Sequence, residues 1–143
     1  MKVFITGGGG FLGTFIVRKL IERNYEVISY SRSSYSHLEE MGVKCFQGDM
    51  SDFTALSEAM KGCEVCFHVA SKIAMWGRFE DFYRTNVTGT ENILKACRVN
   101  GINKFIHSPH DSLSEQGHQV LTTIKTAVII IFRRSFCLLQ NGL

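Results

Sequence analysis

Short apolar segments alternate with amphipathic ones along the first hundred residues of the chain. The apolar segments are rich in β-branched and aromatic residues, which is typical of buried strands; they are residues 2–6, 26–30, 43–47, 65–69 and 104–107. Between them, apolar residues recur at helical spacing over residues 11–20, 36–39, 53–60 and 79–99. Strands that alternate with helices predict an α/β fold, a doubly wound parallel sheet with helices on both faces.

Single residues predict several helix boundaries. Ser36 followed by Glu39 fits a capping box, and Gly62 and Gly101 are expected to end the helices before them. In the first helix the apolar residues at helical spacing are Phe11, Leu12, Phe15, Ile16 and Leu20. In the longest helix the residues expected to face inward are Phe79, Phe82, Tyr83, Val87, Ile93, Leu94 and Cys97. Beyond residue 110 the period is lost, and residues 127–132 are interpreted as a sixth strand.

Composition is that of an average soluble domain and indicates no macromolecular partner. The chain is 45% hydrophobic and 20% charged, with a net charge of +3. That charge is too small and too scattered to predict a nucleic-acid or membrane surface. Neither the first residues nor residues 127–132 form an apolar run long enough for a signal peptide or a membrane span, so we expect a cytoplasmic protein with no visible membrane segment.

The cysteines and histidines predict no metal. Five cysteines, an odd number, favour a reducing compartment over a disulfide framework. Cys63 and Cys66 form a single CxxC, which lacks the second pair of a structural zinc site and is more often core packing. His107 and His110 flank Ser108 and Pro109, but two histidines without further ligands do not define a metal site.

The turn between the first strand and the first helix consists of glycine. Gly7-Gly8-Gly9-Gly10-Phe11-Leu12-Gly13 satisfies both GxGxxG and GxxGxxG in the strand-turn-helix context that a dinucleotide site requires. Positions without a side chain let a diphosphate approach the amides at the positive end of the helix. Thr14 stands where a P-loop would place lysine, which argues against nucleoside-triphosphate hydrolysis. A glycine turn without a ligand is the alternative.

The end of the second strand distinguishes between the two nicotinamide dinucleotides. NAD sites usually carry Asp or Glu there, which accepts a hydrogen bond from the ribose 2′-hydroxyl. This chain carries Tyr30-Ser31-Arg32-Ser33 instead. A guanidinium can pair bidentately with a 2′-phosphate, which a carboxylate would repel. Arg32 therefore favours NADP(H) over NAD(H), the alternative being that it is a solvated loop charge.

Several motifs together resemble the extended short-chain dehydrogenases/reductases. They are residues 6–13, Gly48-Asp49, residues 68–71 and residues 86–90. Trp76-Gly77 and residues 83–87 resemble more specifically the 3β-hydroxysteroid dehydrogenase branch, which includes sterol dehydrogenases and the bacterial 2-alkyl-3-oxoalkanoate reductases. The resemblance covers residues 1–109.

The resemblance implies a cofactor role for particular residues. The diphosphate would be held by Gly7, Gly10, Phe11, Leu12 and Gly13. Arg32 would hold the 2′-phosphate, and Asp49 and Met50 the adenine edge. The ribose beside the nicotinamide would lie along Ala70 and Ser71, and Asn86 would brace the cofactor loop.

Structural alternatives stay open for two of these positions, Asp49 and Asn86, and a structural role is expected for the nearby His68. Asp49 could cap a turn after Gly48, and Asn86 could satisfy helix backbone. His68 lies within an apolar strand, where a hydrogen-bonded core histidine is expected rather than a catalytic one.

The implied reaction is hydride transfer between NADP(H), or less favoured NAD(H), and a secondary alcohol or ketone of a sterol-like or β-keto small molecule. Relatives supply the proton from a tyrosine followed four residues later by lysine, with a serine on the preceding strand. Ser108 resembles that serine and is the candidate catalytic residue. No tyrosine follows it, and Lys125 is preceded at that spacing by Leu121. The TyrxxxLys pair is therefore missing.

The resemblance thus predicts a truncated family member. Residues 1–110 would form an NAD(P)-binding Rossmann domain with an incomplete sheet, and residues 111–143 a divergent tail in place of the C-terminal substrate domain. A genuine isoform end and a faulty gene model both explain that tail. An opened sheet edge predicts poor solubility or a homodimer. Three possibilities stay open: a catalytically incomplete oxidoreductase, a non-catalytic dinucleotide-binding module and an unstable fragment.

Overall fold

The computed structural model describes residues 1–70 and 78–107, and within them a parallel five-stranded sheet. Its strands are β1 (Lys2–Thr6), β2 (Glu26–Ser31), β3 (Lys44–Gln47), β4 (Val65–His68) and β5 (Lys104–His107). They lie in the order β3-β2-β1-β4-β5, and every neighbouring pair is parallel. The predicted strands are confirmed to within a residue at each end. The predicted sixth strand and the tail over residues 111–143 lie outside the described residues.

Helices connect the strands in the order that the sequence predicts. They are α1 (Phe11–Glu22), α2 (Ser36–Glu40), α3 (Phe53–Ala59), α4 (Phe79–Tyr83) and α5 (Gly89–Val99). A π-helical turn (Arg84–Thr88) joins α4 to α5, and in it the N–H of Gly89 donates to the carbonyl of Arg84, five residues earlier. The single helix predicted over residues 79–99 is therefore two α-helices separated by this turn.

The sheet has an apolar core on each face, which confirms the doubly wound arrangement. Successive side chains of a strand point to opposite faces. Phe4 of β1 accordingly packs with Leu56 of α3 and Ile93 of α5 on one face. Val3 and Ile5 of the same strand pack with Val17 of α1 and other residues on the opposite face.

Four aromatic residues assigned to helical apolar faces lie on the surface instead. Phe11 is 98% exposed and Phe15 58%, because α1 packs through Gly13, Val17 and Leu20. The inward orientation predicted for Phe79 and Tyr83 is wrong, since both are exposed and their rings pair with each other. The π-helical turn adds one residue, which rotates the following face by about 100°. Residues before and after it therefore do not share the face that a continuous helix would give them.

The predicted helix ends at Gly62 and Gly101 are confirmed, the capping box predicted at Ser36 is wrong, and Asp52 is a cap that the sequence analysis did not predict. Asp52 caps α3 by accepting a hydrogen bond from the N–H of Ala55 at 3.0 Å. Gly62 and Gly101, just past α3 and α5, have φ of 73° and 69°, the left-handed conformation that favours glycine after a helix. The capping box predicted at Ser36 is absent, because the N-cap of α2 is Tyr35 and makes no side-chain cap.

Candidate functional site

A cleft of about 280 Å³ opens at the carboxyl ends of the central strands. The chain runs outward from β1 to β2 and β3 on one side and then crosses back to β4 on the other side of β1, so the cleft lies at the point where the strand order reverses. Ligands of open parallel sheets bind at such points. The lining residues are Gly7, Gly10, Tyr30, Ser31, Arg32, Ser33, Tyr35, Gly48, Asp49, Met50, Val69, Ala70 and Thr85.

The glycine turn brings the start of α1 close to the ends of β1 and β4. Gly7 has a φ of 74°, and a Cβ added to it would lie 2.6 Å from the amide nitrogen of Ala70. A Cβ on Gly13 would overlap the carbonyl oxygen of Gly7. Packing therefore requires glycine at both positions.

Gly10 has a different reason to be glycine. A Cβ there would approach only the carbonyl oxygen of Gly7, at 3.4 Å, so packing tolerates one. Gly10 borders the cleft and is the N-cap residue of α1, where it offers no side chain to the N–H groups of the first turn. The positive end of the helix is thus left to an anionic ligand.

The other two glycines of the turn contact side chains from the neighbouring strand and loop. The ring of Tyr35 lies against Gly9, where any Cβ would overlap it, and Tyr35 also borders the cleft. A Cβ on Gly8 would lie 2.9 Å from the hydroxyl oxygen of Ser29. That hydroxyl is buried and has no hydrogen-bond partner among the described residues.

Two arginines and one carboxylate set the charge at the β2 and β3 side of the cleft. Asp49 accepts a hydrogen bond from the N–H of Ser51 at 2.8 Å, which is the turn-capping contact that the sequence left open. That bond, together with the Arg84 and Arg32 guanidinium groups, holds the pKa of Asp49 below its usual range. Arg84 Nη2 lies 3.9 Å from Asp49 Oδ2, whereas Arg32 is exposed at the cleft. Arg32 is thus the cation of this side that borders the cleft without an ion pair to Asp49, which leaves its guanidinium available to a negatively charged ligand.

A buried polar chain lies behind the β4 side of the cleft. His68 is 1% exposed, and its Nδ1 lies 2.7 Å from the hydroxyl of Thr6. Its Nε2 lies 3.0 Å from the hydroxyl of Thr90, which donates to the carbonyl of Asn86 at 2.6 Å. The N–H of Ala70 donates to the Thr6 hydroxyl at 3.4 Å. Burial, with His107 as a second cause, lowers the pKa of His68 to about 3, so this histidine is the neutral, hydrogen-bonded core residue that was predicted.

The CxxC pair is packing. Cys63 and Cys66 are buried free thiols, and burial raises the pKa of Cys63 to about 11 and that of Cys66 well above its usual value. Over residues 1–70 and 78–107 no three potential metal-ligating side chains cluster. His107 uses its Nδ1–H to donate to the carbonyl of His68 at 3.2 Å. His110 lies outside the described residues.

The structure brings six of the predicted cofactor residues to the cleft: Gly7, Gly10, Arg32, Asp49, Met50 and Ala70. Four others do not line it: Phe11, Leu12 and Gly13 form the first turn of α1, and Asn86 lies in the π-helical turn. Ser71 and the candidate catalytic Ser108 lie outside the described residues.

The remaining lining residues were given no cofactor role from the sequence, although several of them belong to the motifs quoted above. Ser31 and Val69 could have been found, because residues at the carboxyl ends of adjacent parallel strands share one edge of the sheet. Tyr35 and Thr85 carried no such signal, since a loop and a π-helical turn place them there. None of the helices in the described part of the chain has the length and apolar character that crossing a bilayer demands.

Comparison with known proteins identifies similar sequences. Residues 4–120 match the 3-beta hydroxysteroid dehydrogenase/isomerase family. A 2-alkyl-3-oxoalkanoate reductase of Stenotrophomonas maltophilia is 38% identical over 116 residues, which are 81% of this chain and 35% of that protein. A decarboxylating sterol-4-alpha-carboxylate 3-dehydrogenase of Mus musculus is 34% identical over 116 residues, again 81% of this chain and 32% of the relative. The chain thus spans about a third of the length of these relatives.

Solved structures share the fold. A UDP-glucose 4-epimerase from Bifidobacterium longum in complex with NAD⁺ and UDP matches with a TM-score of 0.68 and 26% identity, over 78% of this chain and 37% of that one. Vestitone reductase from alfalfa, Medicago sativa, matches with a TM-score of 0.61 and 32% identity, over 74% of this chain and 35% of that one. The sheet described above is therefore one part of the larger fold of these enzymes.

Proposed function

The chain belongs to the 3-beta hydroxysteroid dehydrogenase/isomerase family, and on that premise we propose that its residues 1–110 form a Rossmann domain that binds NADP(H) in preference to NAD(H). The observation that carries the proposal is the cleft itself. It combines a glycine turn at a helix N-terminus with an arginine, Arg32, where an NAD site usually has a carboxylate.

The residues present fit a nicotinamide dinucleotide. Gly10 could accept a Cβ without a clash in the chain, so the space in front of α1 is free for a diphosphate. The first-turn amides, which include those of Phe11 and Leu12, would bind it through the backbone, and the exposed ring of Phe11 would take no part. The adenosine half would lie toward Arg32, Asp49 and Met50. The nicotinamide half would lie on the β4 side, along Ala70 and toward Ser71.

The preference for the 2′-phosphate depends on Arg32. Gln47 Nε2 donates to the carbonyl of Arg32 at 2.8 Å, which fixes the backbone beside the cleft and leaves the guanidinium exposed. A phosphate there would receive charge-assisted, bidentate hydrogen bonds. Asp49 is already engaged with Ser51 and Arg84, so it would repel the phosphate less than an unpaired carboxylate would.

Calorimetric titration of the purified chain with NADPH and NADH tests the cofactor. We expect tighter binding of NADPH, and we expect Arg32→Ala to weaken NADPH by roughly 10- to 100-fold, the range of charge-assisted hydrogen bonds, with little effect on NADH. Arg98→Ala is the matched control, because it removes the same charge from an exposed position on α5. Equal affinities in the wild-type chain would overturn the NADP(H) preference, and binding of neither would overturn the function.

We further propose that the reaction class is the oxidation of a secondary alcohol or reduction of a ketone. The bound dinucleotide would supply or accept the hydride, and the chain's own residues would bind and orient it. The names of the two relatives above both describe substrates that carry a carboxylate on the carbon next to the reacting one. The proposed substrate is accordingly a β-keto or β-hydroxy acid on an apolar, sterol-like or alkyl skeleton.

A second candidate is a dinucleotide-binding module without turnover. It is favoured by one observation, that residues 84–143 contain no tyrosine and therefore no TyrxxxLys pair. Incubation of the chain with NADPH and a 2-alkyl-3-oxo acid separates the two. Oxidation of NADPH that depends on the acid, and that is lost in Ser108→Ala, supports the enzyme. Binding without oxidation supports the module.

A further inference from the structure

The hydrogen-bond directions in the buried chain are fixed by its two ends. The carbonyl of Asn86 can only accept, so the hydroxyl proton of Thr90 must point to it. The Thr90 oxygen then has no proton left for His68 and must accept one from the ring. His68 therefore carries its proton on Nε2.

The other half of the chain follows from that tautomer. A neutral imidazole with a proton on Nε2 has a bare Nδ1, which can only accept, so the Thr6 hydroxyl donates to it. The Thr6 oxygen in turn accepts from the N–H of Ala70. The low pKa of His68 agrees with a neutral ring. Each of the four hydrogen bonds between the N–H of Ala70 and the carbonyl of Asn86 therefore has one possible donor and one possible acceptor, and the His68 imidazole lies at the middle of the series.

This series of hydrogen bonds links the three segments that form the β4 side of the cleft. Thr6 immediately precedes Gly7, His68 immediately precedes Val69, and Asn86 immediately follows Thr85. Gly7, Val69, Ala70 and Thr85 all line the cleft. In addition, His107 holds the imidazole from a third side, because it stacks on the ring at 4.9 Å and donates to the His68 carbonyl.

We propose that His68 is a positioning residue for the nicotinamide half of the dinucleotide: through Thr6 and Thr90 its Nε2–H tautomer fixes Ala70 and the π-helical turn at the spacing that this half requires. The inference rests on the proposed function. It concerns the β4 side first, because none of these hydrogen bonds involves Arg32, Asp49 or Met50. The π-helical turn meets that other side through a different group, Arg84, whose Nη2 lies 3.9 Å from Asp49 Oδ2. A core histidine that served only stability would show no such selectivity.

The test replaces Thr90 and compares two ligands. Thr90→Val keeps the shape but leaves the Nε2–H without an acceptor, whereas Thr90→Ser keeps the hydroxyl and is the matched control. We expect Thr90→Val to weaken NADPH binding by about tenfold, in line with the loss of a buried hydrogen-bond partner. Binding of 2′,5′-ADP, which carries only the adenosine half with its 2′-phosphate, should be unchanged, and Thr90→Ser should bind NADPH like the wild-type chain.

A second measurement does not depend on any variant. Long-range ¹H–¹⁵N correlation spectra of the wild-type imidazoles should show His68 as the neutral Nε2–H tautomer at pH 7. The Nδ1–H tautomer or an imidazolium would overturn the proposal, as would Thr90→Val weakening both ligands equally or neither. If the wild-type chain binds 2′,5′-ADP and NADPH and only the selectivity is absent, the positioning role alone fails. If it binds neither ligand, the proposed function fails, and this inference with it.

Discussion

At the scale of single residues, the glycines of the turn differ in what holds them. Gly7 and Gly13 face backbone atoms, which cannot move aside, whereas Gly8 faces the hydroxyl of Ser29. That hydroxyl makes no hydrogen bond among the described residues. The restriction at Gly8 therefore depends on one atom that the fold does not otherwise use.

Gly8 and Ser29 predict a rescue by a second substitution. Gly8→Ala should lower the free energy of unfolding by about 1–3 kcal/mol, the usual effect of overpacking. Ser29→Ala alone should be neutral or slightly stabilising, because it removes an unpaired buried hydroxyl. The double variant should be close to the wild-type chain, since the next atoms lie 3.4 Å and 3.5 Å from the new Cβ. Urea unfolding of the four proteins measures the coupling, and additive effects would contradict it.

The buried histidines predict a decline of stability in acid. Burial lowers the pKa of His68 to about 3 and also lowers that of His107. The unfolded chain, with histidine pKa values of about 6.5, therefore binds more protons than the folded chain at acidic pH. The free energy of unfolding should be constant between about pH 7.5 and pH 8 and fall below about pH 6.5, by up to about 1.4 kcal/mol per pH unit for each histidine. Urea midpoints between pH 8 and pH 4 check this, and a rise toward acid would contradict it.

At the scale of elements, the two short helices after β2 and β3 begin in different ways. Asp52 accepts a hydrogen bond at the start of α3, whereas α2 begins after Tyr35 without a side-chain cap. Asp52→Ala should thus lower the free energy of unfolding by about 1 kcal/mol, and Asp52→Asn should retain most of it. Ser36→Ala is the matched comparison and should be within about 0.5 kcal/mol of the wild-type chain. A larger loss at Ser36 than at Asp52 would contradict these caps.

The strands and the helix order could be predicted because each depends on local pattern. The strand segments are apolar and bounded by glycine or polar residues, and parallel pairing follows from the helices between them. The exposure of Phe11 and Phe15 could not be predicted, since close packing at Gly13 rather than apolar content decides which side of α1 faces the sheet. The π-helical turn could not be predicted either. It places one extra residue in a turn of backbone, and neither the apolar period nor the composition of the segment indicates where that residue is inserted.

The candidate site was predictable in part: residues at the ends of strands could be predicted, and residues that loops or helices bring to the cleft could not. Gly7, Gly10, Arg32, Asp49, Met50 and Ala70 lie at strand ends or in the turn, where sequence position determines spatial position. Tyr35 is at the cleft because its ring packs on Gly9, a contact between two loops. The chain from Thr6 through His68 to Thr90 joins β1, β4 and α5 across the fold, so no local pattern could have indicated it.

At the scale of the whole molecule, ligand binding and stability are linked. A ligand that binds only the folded chain raises the free energy of unfolding by about 2.7 kcal/mol at 100 times its Kd. NADPH should therefore raise the Tm in a cooperative melt, and NADH at the same concentration should raise it less. A melt that is not cooperative would favour the unstable-fragment alternative, and a Tm that NADPH leaves unchanged would contradict the cofactor proposal.

The position of β1 at the centre of the sheet has a consequence during translation. β1 is synthesised before the other four strands of this sheet, and Thr6 can pair with His68 of β4 only after the residues between them have been made. At 5–20 residues per second the intervening segment takes roughly 3–12 s to synthesise. For that time the nascent chain presents one unpaired edge of an apolar strand, to which chaperones or a neighbouring chain on the same polysome could pair.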